Sequence, residues 1–91
     1  METESVMVFP DIKPVAPVHL LVVPKRHILE FSQLTQFDKL DKFAWDGVMA
    51  VVLKLIKQNG LEKKGYRIVI NGGGAQAIDH LHVHLQGGVH L

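Results

Sequence analysis

The sequence has 91 residues, of which 47% are hydrophobic and 21% are charged, and its formal net charge is +1 at pH 7. This length supports one small domain over residues 1–91, and the composition is that of a folded chain. The near-neutral charge excludes the strongly basic surface of a protein that binds nucleic acid through many phosphate contacts. Because cysteine is absent, disulfides, thiolate zinc sites and a cysteine nucleophile are excluded as well.

The amino-terminal segment and the apolar runs bear on location. Glu2 and Glu4 make the first residues acidic, unlike a secretory or organellar targeting segment, so we expect a cytoplasmic protein. The longest apolar run, residues 48–56, is interrupted by Lys54 and is too short to span a bilayer, so no membrane partner is expected.

Residues 6–9 and 19–23 predict the first two strands, because both segments are short, apolar and bounded by proline. Residues 38–59 predict one amphipathic helix with Asp38 as its amino-terminal cap and Gly60 just beyond its end. Gly47 inside this helix indicates a close approach to the sheet. The predicted buried face comprises Leu40, Phe43, Ala44, Val48, Val51, Val52, Leu55 and Ile56.

Residues 62–64 predict a solvated turn, and residues 66–70 and 80–85 predict the last two strands. Four strands and one long helix predict an α+β fold, in which the helix packs on one face of a largely antiparallel sheet.

Residues 79–86 read Asp-His-Leu-His-Val-His-Leu-Gln, in which histidine alternates with an apolar residue. This segment contains the main candidate functional residues. In a strand, alternate side chains point to opposite faces, so the three imidazoles are predicted to share one face. Leu81, Val83 and Leu85 are then predicted to pack under the helix. A core face seldom uses groups that each need a hydrogen-bond partner, so the triplet indicates a functional site.

Two kinds of chemistry fit three such imidazoles. They could bind a metal, although the nearby Asp79 is predicted to face away and His19 would have to complete the ligand set. Alternatively, the central His82 could attack phosphorus while its neighbours orient it and carry protons near neutral pH. The second use needs phosphate-binding groups, and the loop with Asn71, residues 72–74 (three glycines) and Gln76 can supply amide donors.

Three ordered segments of the chain resemble the histidine triad (HIT) superfamily, and in particular its Hint-like branch. Residues 80–86 resemble the histidine triad motif itself, residues 17–28 a strand that ends in proline, two basic residues, histidine and isoleucine, and residues 64–71 the entry into the phosphate loop. The resemblance implies a HIT-like domain, shortened at its amino terminus because the usual first helix and strand have no counterpart here.

The resemblance also implies catalytic roles for the histidines. His82 would attack the alpha phosphorus of a purine nucleoside phosphoramidate and form a nucleotidyl-histidine that water then cleaves. His84 and His80 would hold the phosphate and the nucleophile's ring. His19 and His27 together would form a supporting shell that can relay a proton to the leaving group.

Substrate-binding residues follow from the same resemblance. Asn71 and Gln76 would contact the phosphate, Asp11 would accept hydrogen bonds from the ribose, and Phe9 and Ile12 would enclose the purine. Ala77 stands where many relatives carry a hydroxyl group that touches the phosphate.

The expected function is therefore that of an adenosine 5'-monophosphoramidase-type hydrolase, acting on purine nucleoside phosphoramidates as a homodimer and without a cofactor. The alternative is an inactive protein that binds a nucleotide or a zinc ion through the same histidines and acts by interaction.

Overall fold

The computed structural model describes residues 1–36 and 38–88. Over these residues it contains one antiparallel sheet, with strands in the order β1-β2-β4-β3, so the predicted α+β fold is confirmed. The strands are β1 (Val6–Pro10), β2 (Val18–Pro24), β3 (Tyr66–Val69) and β4 (Val83–Gly87).

The predicted long helix is α1, Lys39–Gln58, and its ends are set by local chemistry. The Asp38 carboxylate accepts the backbone N–H of Asp41 at 2.7 Å, which caps the first turn. Beyond the last turn, Gly60 has a φ of 64°, the left-handed conformation that glycine adopts most easily. A Cβ at Gly47 would lie 2.6 Å from the Ser5 hydroxyl oxygen, which confirms the close helix–sheet approach. No helix in the described part of the chain has the length and apolarity required to cross a membrane.

Helix α1 packs across one face of the sheet. Its buried side chains begin at Ala44, so the first turn extends past the core, and the prediction that Leu40 and Phe43 are buried was wrong: they are 60% and 57% exposed. The main core comprises Val6, Val8, Val22, Val48, Val51, Val52, Leu55, Ile56, Leu61, Val83 and Leu85.

Two short helices complete the described structure. The chain forms a 3₁₀ helix at Phe31–Gln36, which the sequence patterns did not predict. It also forms the short helix α2 at Leu61–Lys64, where a turn was expected. The reason for α2 is that Leu61 is fully buried in the main core, so tertiary packing fixes this segment.

The histidine segment is less regular than predicted, because β4 begins at Val83 and leaves His80 and His82 ahead of the strand. The β2–β4 ladder ends at the pair Val22–Val83. Beyond this pair, Pro24 has no N–H to donate, and its carbonyl oxygen accepts a hydrogen bond from the His80 ring. Leu81 N–H instead donates to the carbonyl of residue 28, at 2.6 Å.

Candidate functional site

A cleft of about 600 Å³ lies over the face of the sheet opposite α1. Strand alternation produces this face: Val22 points to the core, whereas His19 and Leu21 point the other way, and Leu21 is the register partner of His84. The cleft is lined by Phe9, Pro10, Asp11, Ile12, Leu21, Asn71, Ala75, Ala77, Ile78, His82 and His84.

A second cleft, of about 320 Å³, shares part of this lining. Phe9, Leu21, Ile78 and His82 contribute to both spaces, and His80 lies on the side of the smaller one. The two clefts therefore share a wall that includes His82.

His82 is held by its neighbours on both sides. Leu81 and Val83 are buried in the core, and the His82 side chain between them is only 9% exposed. Its Nδ1 lies 2.8 Å from the backbone carbonyl oxygen of His80. Because a carbonyl can only accept, Nδ1 carries the proton, and a neutral ring then has an unprotonated Nε2. The site therefore contains an imidazole whose Nε2 lone pair is available for attack.

His84 lies beside His82, with 5.0 Å between the ring centroids, and on its other side it contacts His19. The His84 Nδ1 is 2.9 Å from the His19 Nε2. Burial lowers the pKa of His84, positive charge on His82 or His19 lowers it further, and the Asp11 carboxylate acts in the opposite direction. His84 is therefore predominantly neutral near pH 7. We refer to His19 and His84 as the inner pair.

Asp11 lies next to the inner pair at the end of β1. Its Oδ2 is 3.4 Å from the His19 Nε2 and 3.9 Å from the His84 Nδ1. One ligand atom from each of these three side chains falls within 4.8 Å of the others, so their spacing alone would suit a metal ion. The sequence did not predict this set, because it brought Asp79 and not Asp11 into consideration as a carboxylate ligand.

His27 and His80 form a second contact, which we call the outer pair. Their Nδ1 atoms are 3.3 Å apart, and the ring centroids are 5.2 Å apart. The His80 Nε2 donates to the carbonyl oxygen of Pro24 at 2.9 Å, so the Nδ1 of a neutral His80 accepts from His27. His27 is exposed, and neither ring lines the larger cleft.

The glycine loop contributes less to the cleft than its sequence indicated. Asn71 and Ala77 line the larger cleft, whereas Gln76 does not. The Gln76 Oε1 accepts the N–H of Gly74 at 2.9 Å, and the N–H of Gly73 donates to the Glu30 carboxylate at 3.2 Å. Two of the predicted phosphate donors are thus engaged within the protein.

Four residues of the cleft were not predicted from the sequence: Pro10, Leu21, Ala75 and Ile78. Leu21 could have been found, since it follows His19 by two positions on the same strand and so shares its face. Ala75 and Ile78 lie in an irregular loop, where no periodic pattern predicts which side chains face inward.

The fold and the site define a small α+β domain with a histidine-lined cleft. The HIT domain family model matches residues 1–91, so the chain belongs to the HIT domain family. It is 37% identical over 92 residues to an uncharacterized HIT-like protein of Buchnera aphidicola, an alignment that covers 99% of this chain and 78% of that protein.

Solved structures agree with this assignment. A HIT family hydrolase from Legionella pneumophila superposes with a TM-score of 0.82 at 37% identity, covering 97% of this chain and 78% of that one. A histidine triad nucleotide-binding protein from Candida albicans gives a TM-score of 0.79 at 31% identity, covering 98% and 64%. The chain therefore has the fold of HIT hydrolases and nucleotide-binding proteins.

Proposed function

We propose that this protein is a purine nucleoside phosphoramidase whose nucleophile is the Nε2 of His82. The observation that carries the proposal is the hydrogen bond from His82 Nδ1–H to the His80 carbonyl, which leaves Nε2 unprotonated beside a nucleotide-sized cleft. Membership in a family that includes hydrolases and nucleotide-binding proteins supports the same function.

Different residues of the cleft bind the base, the ribose and the phosphate of the substrate. Phe9 and Ile12 contribute apolar surface, 43% and 93% exposed, on which a purine can stack. The Asp11 carboxylate accepts hydrogen bonds from the ribose hydroxyls. Asn71 donates to the phosphate from the loop, and Ala77 approaches it without a hydroxyl group to donate. His80 acts through its backbone carbonyl, which orients the His82 ring, and Gln76 shapes the loop by accepting the N–H of Gly74.

The reaction has two transfers. In the first, the His82 Nε2 forms a bond to phosphorus, and the bond from phosphorus to the amine breaks. The amine leaves with the electron pair of that bond and accepts a proton from the inner pair, His19 and His84, which reacts in the form that carries one extra proton and becomes neutral. In the second, water attacks phosphorus, breaks the bond to Nε2 and returns a proton to the inner pair. No cofactor is part of this proposal.

The test compares hydrolysis of adenosine 5'-phosphoramidate by the wild type and by His82→Asn. The asparagine amide can still donate to the His80 carbonyl, so the variant removes the nucleophile with little loss of packing. We expect turnover to be abolished while adenosine monophosphate still binds. Lys54→Ala, at an exposed position of α1, is the control and keeps wild-type turnover.

The outcomes separate the enzyme from its alternative. If the wild type shows no turnover but binds the nucleotide, the protein acts as a binding module. If His82→Asn hydrolyses the substrate at the wild-type rate, His82 is not the nucleophile and the proposal is wrong.

The proposal extends to a cytoplasmic homodimer. Strand β3 is an edge of the described sheet, and its side chains Tyr66 and Ile68 are 45% and 43% exposed. An edge strand with apolar side chains favours pairing with a second chain. Sedimentation of the wild type and of Ile68→Glu should give a dimer and a monomer, whereas a wild-type monomer at high concentration would contradict the homodimer.

A further inference from the structure

His19 is contacted on both ring nitrogens by groups from three parts of the chain. Its Nδ1 lies 3.2 Å from the backbone nitrogen of Val15, in the loop between β1 and β2. Its Nε2 lies 2.9 Å from the His84 Nδ1 and 3.4 Å from the Asp11 Oδ2. The ring is only 7% exposed, so these neighbours decide where its proton resides.

The Val15 contact selects one tautomer. A backbone N–H can only donate, so the His19 Nδ1 must accept and cannot carry a proton. The single proton of a neutral ring is then on Nε2, where it faces two acceptors, the His84 Nδ1 and the Asp11 carboxylate. His84 in turn carries its own proton on Nε2.

Gln86 is the remaining polar neighbour of this ring. Its Oε1 accepts from the Arg67 Nε at 2.6 Å, which turns the amide nitrogen toward the His19 Nε2 at 3.4 Å. An amide N–H can only donate, so this contact would favour an unprotonated Nε2. It is 0.5 Å longer than the contact between the inner pair and is therefore the weaker of the two, and the Val15 N–H opposes it from the other side of the ring.

The same tautomer opposes metal binding. In a tetrahedral zinc site, ligand atoms about 2.0–2.1 Å from the ion are about 3.4 Å apart, which is close to the spacing among Asp11, His19 and His84. A histidine ligand, however, binds through an unprotonated nitrogen and donates the N–H of its other nitrogen to an acceptor. If the His19 Nε2 bound a metal, the ring proton would be on Nδ1, where it would face the Val15 N–H, and two donors cannot form a hydrogen bond.

We propose that the main-chain amide of Val15 is a positioning group that assigns the His19 proton to Nε2, and thereby keeps Asp11, His19 and His84 as a proton-sharing set and not a divalent-metal site. The tautomer depends only on the hydrogen bonds described. Its use in proton transfer rests on the proposed function.

The loop is shaped to deliver this amide. Asp11 N–H donates to the carbonyl of His19 at 3.0 Å, and the Asp11 Oδ1 accepts the N–H of Lys13 at 2.8 Å. The Val15 side chain is 64% exposed, so the inward contact comes from its main chain. A substitution that keeps the N–H is therefore expected to keep the tautomer.

The test uses Val15→Pro, which removes the N–H, and Val15→Ala, which retains it. Nitrogen-15 NMR of the ring nitrogens reports the His19 tautomer, and calorimetric titration with Zn²⁺ reports metal affinity, so neither readout depends on catalysis. Wild type and Val15→Ala should show a protonated Nε2 and the same weak Zn²⁺ binding. Val15→Pro should show a mixture of tautomers and bind Zn²⁺ about tenfold more tightly or better.

The wild-type spectrum alone can overturn the proposal, whether or not Val15→Pro folds. A protonated Nδ1 and an unprotonated Nε2 on His19 in the wild type would contradict it. A folded Val15→Pro variant with unchanged tautomer and unchanged Zn²⁺ affinity would contradict it as well. Loss of phosphoramidase activity in every sample would count against the proposed function and leave the tautomer result intact.

Discussion

The inner and outer histidine pairs have the same ring separation, 5.2 Å between centroids, but their surroundings differ. In the inner pair, His84 lines the larger cleft and His19 contacts the His84 ring, with the Asp11 carboxylate beside both rings. In the outer pair, His27 is exposed, and the proton of His80 is committed to a backbone carbonyl. Two contacts with the same ring separation thus differ in their surroundings: one lies where the proposed reaction needs a proton, and the other joins two segments of the chain.

The largest difference between the pairs should appear in turnover. His84→Ala and His19→Ala each remove a member of the pair that transfers the proton in the proposed reaction, and we expect kcat to fall about 100-fold or more. His27→Ala removes only the contact between the His27 and His80 rings, and kcat should fall less than about tenfold. Steady-state hydrolysis of adenosine 5'-phosphoramidate by the three variants measures this contrast. Equal losses in all three would show that the pairs are not functionally distinct.

The Asp11 carboxylate is the feature that the outer pair lacks. Asp11→Asn keeps the shape but removes the charge, which weakens the proposed hydrogen bonds to the ribose. A hydrogen bond to a charged group contributes about 1.5–3 kcal/mol, so KM should rise about tenfold or more. A deoxyribose analogue tests this assignment, because the variant should discriminate less between ribose and deoxyribose than the wild type. Unchanged discrimination would exclude Asp11 as the ribose contact.

A smaller effect concerns stability and pH. Burial lowers the folded-state pKa of His84. Below the ordinary histidine pKa of about 6.5, His84 therefore binds a proton more readily in the unfolded chain than in the folded chain. The contribution of His84 to the free energy of unfolding is therefore fully present above about pH 6.5 and is lost as the pH falls toward the folded-state pKa. Thermal unfolding between pH 8 and pH 5 should show a smaller decrease in Tm for His84→Asn than for the wild type. If Tm decreases equally with pH in the wild type and in His84→Asn, the lowered pKa of His84 does not contribute to the pH dependence of stability.

Local chemistry made part of the fold predictable from the sequence. Asp38 and Gly60 bound α1 because a cap and a left-handed glycine act within a few residues of the helix ends. Strand alternation likewise placed Val83 and Leu85 in the core. Leu40 and Phe43 were misassigned because periodicity identifies one helix face without showing how far the sheet beneath it extends.

The details of the site depend on contacts that are distant in sequence. The N–H of Gly73 donates to Glu30, 43 positions earlier, and no motif indicates that this carboxylate would occupy a predicted phosphate donor. The Pro24 carbonyl binds the His80 ring 56 positions away and ends the ladder before His82. The histidine pattern therefore predicted that His82 and His84 lie close together, but not the contacts that fix their rings.

The central claim is that the Nε2 of His82 becomes bonded to phosphorus during turnover. Acid quenching within the first turnover, followed by peptide mass spectrometry, measures it directly. We predict one adenylyl group on His82 in the wild type and none in His82→Asn. Turnover without an adduct on His82, or an adduct on His84 instead, would contradict the account.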